Sequence, residues 1–170
     1  MLGFVVAEGR GAADRCLREV AETLRDAGLK VAGAVQSNVE MEPAYKCQMD
    51  LHILTGDQVI RISQDLGALS KGCRLDPDGL ERAVGLVAAS LEQEPEVLIL
   101  NKFGKQELDG GGFRPVVGEA LLAGIPVLTA VNANNVAKFR EFAGDMGEQL
   151  PADTRVLKEW VLAQRAALQA

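Results

Sequence analysis

Val97-Leu98-Ile99-Leu100 is an unbroken apolar run, opened by Pro95-Glu96 and closed by Asn101-Lys102-Phe103-Gly104-Lys105-Gln106-Glu107. Four apolar residues without alternation read as a strand covered on both faces, the condition of a strand inside a parallel sheet. In open α/β sheets ligands collect beyond the carboxyl ends of the strands, and this end carries Asn101, Lys102, Lys105 and Glu107 within seven residues. Charged strand-to-helix loops are mostly solvated surface, so the segment gains meaning only from the rest of the chain.

The preceding sequence reads as a βαβ unit. Leu2–Ala7 is a buried strand that runs into the turn Glu8-Gly9-Arg10-Gly11-Ala12. Ala13, Cys16, Leu17, Val20, Ala21, Leu24 and Ala27 then recur at helical spacing, Gly28 is placed to end the helix, and Val31–Gln36 is the second strand. Gly9, Arg10 and Gly11 thus sit at a helix N-terminus, an anion site in form. The phosphate-binding pattern G-x-x-x-x-G-K-[ST] is nevertheless missing: neither its Lys nor its hydroxyl is present, and Asp14 near the helix start disfavours a phosphate there.

Beyond Ser37 the pattern shortens. Tyr45 to Leu54, the turn Thr55-Gly56-Asp57 and Gln58 to Ile62 read as an antiparallel hairpin. Ser63 to Leu75 has neither periodicity and is crowded with donors, among them Ser63, Gln64, Ser70, Lys71 and Arg74; it is either a functional loop or a surface connection. Asp76 or Asp78 starts a helix with Leu80, Ala83, Val84, Val87 and Leu91. After Glu107, a glycine turn precedes a helix with Phe113, Val116, Val117, Ala120 and Leu121. Val127–Val131 is the next parallel strand, with Asn132, Asn134 and Asn135 at its carboxyl end. Helices over Val136 to Phe142 and from Thr154 onward complete the chain. The expected fold is a three-layer α/β sandwich in one domain, residues 1–170. Its mostly parallel sheet is built from Leu2–Ala7, Val31–Gln36, Val97–Leu100 and Val127–Val131, with the inserted antiparallel hairpin at its margin.

Charge and composition narrow the function. A net charge of −6 over 170 residues argues against a general nucleic-acid binder, which neutralises phosphates with clustered Lys and Arg. Leu2–Ala7 is too short for a secretory core and runs into Glu8, and no stretch approaches a membrane span; a cytoplasmic, soluble protein is expected. Cys16, Cys47 and Cys73 are distant and odd in number, which fits reduced thiols, and no Cys/His spacing suits a metal. The single histidine, His52, reads as an outward strand residue. With no Gly-x-Ser-x-Gly turn, a Ser-His-Asp hydrolase has little support.

Lys30-Val31-Ala32-Gly33, Leu54-Thr55-Gly56-Asp57, Gly72-Cys73-Arg74-Leu75-Asp76 and Leu98 to Glu107 resemble successive landmarks of the small P-loop nucleoside triphosphatases of the cancer-related NTPase type. In that family the central strand ends in an Asp-Glu pair followed by x-Gly-Lys-x-Glu; here Gly104, Lys105 and Glu107 match, while Asn101 and Lys102 replace the acids. Ile62-Ser63-Gln64-Asp65-Leu66-Gly67, together with the Gly72 and Asn101 motifs, is also similar to a bacterial domain-of-unknown-function family associated with molybdate uptake. The resemblance implies a P-loop NTPase-like fold with degenerate Walker motifs.

A hydrolytic P-loop site needs a loop Lys, a metal held by an acid and a hydroxyl, and a group that orients water. The first is absent and Asn101 and Lys102 stand where the acids belong, while Lys102 and Lys105 add positive charge. The favoured expectation is therefore binding of a small anion (molybdate or phosphate) or a nucleotide. Its candidate ligands are Gly9, Arg10, Gly11, Ser63, Gln64, Ser70, Lys71, Arg74, Asn101, Lys102 and Lys105. The enzymatic alternative is an altered nucleoside triphosphatase using Lys102 or Lys105 for phosphate neutralisation and Glu107 to orient water. The third reading is a protein interaction module. No metal or cofactor is assigned, neither nucleic acid nor membrane is expected as a partner, and homo-oligomer formation is left open.

Overall fold

A computed structural model describes residues 1–8, 11–39, 48–64 and 75–169, without the side chains of residues 37–39 and 48. The strands are β1 (Leu2–Ala7), β2 (Val31–Val39), β3 (Gln48–Ile53), β4 (Val59–Arg61), β5 (Val97–Leu100), β6 (Val127–Asn132) and β7 (Gly147–Leu150). The helices are α1 (Ala12–Asp26), α2 (Pro77–Ser90), α3 (Lys105–Leu108), α4 (Arg114–Leu122), α5 (Val136–Ala143) and α6 (Thr154–Gln169). One sheet runs β4-β3-β2-β5-β6-β1-β7. β2-β5-β6-β1-β7 are parallel, while β3 and β4 pair antiparallel to β2 and to each other.

The parallel strands are buried because helices cover both faces. On one face, α1 presents Ala13, Cys16, Leu17, Val20, Ala21 and Leu24, and α6 presents Leu157, Trp160 and Val161, to Val5, Val31, Ile99 and Leu128 of the sheet. On the other, Leu80, Ala83 and Val87 of α2, Val116, Val117 and Ala120 of α4 and Phe139 of α5 pack on Phe4, Ala34, Leu98 and Val131. Helix, sheet and helix make the three layers expected from the alternating strands and helices.

Local chemistry sets the boundaries. Gly28, at φ 88°, releases the chain from α1. Asp76 caps α2 by accepting the Asp78 N–H at 3.1 Å, with Pro77 in the first helical position. The hairpin turn passes through Gly56 (φ 89°) and Asp57 (φ 56°), and Arg25 and His52 both pair with the Asp57 carboxylate. Gly33 takes φ 125° where β2 approaches β5, and a side-chain carbon there would overlap the Ile99 carbonyl. Cys16 is a free, buried thiol; Cys47 and Cys73, like Tyr45 and Lys46 of the expected hairpin, lie outside the described residues.

Two elements carry little sequence signal. β7 is an edge strand, Gly147-Glu148-Gln149-Leu150, paired parallel to β1. α3 is a single turn immediately after the polar end of β5. Among the described residues no helix is long and apolar enough to cross a membrane.

Candidate functional site

β5 and β6 end beside β2, which runs on to Val39, and Gln36 of β2, Asn101 and Asn132 border one cleft there. The cleft, of about 360 Å³, is lined on its polar side by these three residues with Lys102, Lys105 and Asn135. Its other wall is apolar: Met49 and Leu51 of β3, then Ile62, Leu75, Leu80 and Phe113.

The turn after β5 is held from both sides. The Asn101 N–H donates to the Ala34 carbonyl at 3.0 Å and the Phe103 N–H to that of Ala130 at 2.9 Å, which prolongs the β5 ladder through the turn. Asn101 and Phe103 are 2% and 1% exposed, so the intervening Lys102 points outward. The Phe103 ring packs with Phe139 and Phe142, centroids 5.0 and 4.8 Å away, and anchors the turn in the core beneath. Lys102 and Lys105 are exposed and form no ion pair with a described residue.

Asn101 reaches across the sheet to α1. Its Nδ2 donates to the Asp14 carboxylate at 2.6 Å, over the strand β6 that separates β1 from β5. The carboxylate accepts only, which fixes the amide's orientation and leaves Asn101 Oδ1 buried without a partner among the described residues. In a P-loop site, the acid at the end of this strand and the hydroxyl in the first turn of the helix hold Mg²⁺ between them. Here a neutral amide bonds a carboxylate directly. Among the described residues no three His, Cys, Asp or Glu side chains gather to hold a metal.

Glu107 is buried at the back of the turn. One carboxylate oxygen accepts the Gly104 N–H at 2.8 Å and the other the Phe113 N–H at 3.2 Å. Burial pushes its pKa up, while the backbone N–H groups and then the charge of Lys102 pull it down. Gly112, at φ 54°, leaves the space that the Glu107 carboxylate fills. Arg114 donates to the Glu107 and Leu108 carbonyls and lies over the Phe142 ring, tying α3 to α4.

Of the residues singled out from sequence, Asn101, Lys102, Lys105 and Glu107 meet at the cleft. Gly11 starts α1 at φ 82° and does not line it. Ser63 Oγ accepts the Met49 N–H at 3.1 Å, and neither Ser63 nor Gln64 is on the cleft wall. Gly9, Arg10, Ser70, Lys71 and Arg74 lie outside the described residues. Sequence reading missed Gln36 and the apolar wall. Gln36 carried a signal, a polar residue after the apolar run Val31–Val35; the wall residues read only as positions of a hairpin, a loop and helices.

Comparison with known proteins agrees with this architecture. A human cancer-related nucleoside triphosphatase superposes with TM-score 0.63 at 16% identity, covering 99% of this chain and 96% of that one. THEP1 from the hyperthermophile Aquifex aeolicus gives 0.66 at 15% identity, covering 96% and 98%. The fold is thus P-loop NTPase-like. A molybdenum import ATP-binding protein, ModC 2, of Bradyrhizobium diazoefficiens is 35% identical over 150 residues, which are 86% of this chain and 16% of that protein. The family model described as Protein of unknown function (DUF2478) matches residues 2–160, and the chain belongs to that family.

Proposed function

We propose that this chain is a binding domain for a small anion, an oxyanion such as molybdate or phosphate or the phosphates of a nucleotide, and that it does not hydrolyse nucleoside triphosphates. The observation that carries the reading is the 2.6 Å bond from Asn101 to Asp14. It joins an amide to a carboxylate where P-loop chemistry needs two metal ligands, and the same turn offers Lys102 and Lys105 to an anion instead. Asn132 and Asn135 add amide donors at the rim. The molybdenum import relative makes molybdate the first oxyanion to test.

The test is calorimetric titration of wild type, Lys102→Ala and Lys105→Ala with molybdate, tungstate, phosphate, sulfate and ATP. Hydrogen bonds to charged groups are worth roughly 1.5–3 kcal/mol, so each substitution should weaken the preferred anion about tenfold or more. Absence of binding at millimolar concentration, or unchanged affinity in both variants, would remove this assignment.

A further inference from the structure

The cleft is built for more than an oxyanion. About 360 Å³ lies within the range of pockets that enclose small organic molecules. One side is a continuous apolar wall of Met49, Leu51, Ile62, Leu75, Leu80 and Phe113, running from the hairpin to the start of α4. Molybdate, sulfate or phosphate has nothing to set against that surface. Removing apolar area from water is what makes such a wall useful to a ligand. The opposite side is polar, with Lys102, Lys105, Asn132 and Asn135 on the lining.

We propose, resting on the anion-binding reading above, that the occupant is an organic phosphate. Its phosphate lies against Lys102 and Lys105, and its apolar or aromatic body lies on the wall formed by Met49, Leu51 and Ile62. Charge supplies attraction at one end of the cleft and burial supplies affinity and selectivity at the other.

Inorganic phosphate, ribose 5-phosphate and guanosine 5′-monophosphate form a ladder: anion alone, anion with a polar body, anion with an aromatic body bearing N–H donors. Titration of wild type should rank the mononucleotide at least about tenfold tighter than either of the others. Met49→Gln keeps the length of the side chain but makes it polar; it should erase most of that margin, with circular dichroism checking the fold. Equal affinity for ribose 5-phosphate and the mononucleotide, or a margin untouched by Met49→Gln, overturns the proposal. Failure of the underlying reading looks different: Lys102→Ala then leaves all three affinities unchanged, or none of the three binds.

Discussion

Glu107 and Lys102 stand five residues apart and divide the work of one turn. Lys102 is thrust outward because both its neighbours are anchored inside, whereas the Glu107 carboxylate is turned inward onto the Gly104 and Phe113 N–H groups. Sequence shows two charged residues after a strand and cannot separate these fates, since the separation depends on Gly112 leaving room for the carboxylate. The two are also distinguishable by titration. Burial raises the pKa of Glu107 above the ordinary glutamate value, so the folded protein holds this proton at pH values where the unfolded chain has released it. The resulting stability is complete below the ordinary glutamate range and is lost as pH rises through the raised folded value. Urea unfolding of wild type and Glu107→Gln from about pH 4 to about pH 7 should therefore show wild type losing stability relative to the variant as pH rises. A gap that moves the opposite way would mean that the backbone donors and Lys102 outweigh burial.

At the scale of elements, legibility followed burial on both faces. β5 is a continuous apolar run, and β6 is broken before its end only by the buried Thr129, whose hydroxyl donates to the Leu100 carbonyl, because α1 and α6 cover one side and α2, α4 and α5 the other; α1 and α2 announce themselves by helical spacing and by Gly28 and Asp76. β7 has no such signal. Only its last residue, Leu150, is buried, and it is a strand because β1 offers a free edge to pair with. A side-chain bond fastens it: Trp160 Nε1 of α6 donates to Glu148 at 2.9 Å. Trp160→Phe keeps an aromatic ring against Leu150 but deletes a part-buried bond to a carboxylate. It should cost about 1–3 kcal/mol in urea unfolding followed by circular dichroism. An unchanged midpoint would show that β1 pairing alone holds the strand. The apolar wall of the cleft was illegible for a different reason. Met49, Leu51, Ile62, Leu75 and Leu80 come from β3, the segments flanking β4 and α2, and apolar character alone does not tell a lined cavity from a filled one.

For the whole molecule, the sheet order decides what the ends of the strands can do together. β6 lies between β1 and β5, so these two strands are about two strand spacings, roughly 10 Å, apart. That gap is narrow enough for Asp14 and Asn101 to bond over the intervening strand. The same spacing suits a metal bridge when a hydroxyl on the helix faces an acid on the strand, and here the facing groups are the Asp14 carboxylate and the Asn101 amide. Turnover of a triphosphate requires phosphate neutralisation by a loop Lys, a held metal and an oriented nucleophilic water. The loop contains no Lys, Asn101 is neutral and engaged, and the buried Glu107 spends both oxygens on backbone N–H groups. Purified protein should therefore show no Mg-dependent hydrolysis of ATP or GTP above a blank in a phosphate-release assay. Activity that persists through successive chromatographic steps and falls with Lys105→Ala would reverse the assignment, making Lys105 the phosphate-neutralising group of an altered triphosphatase.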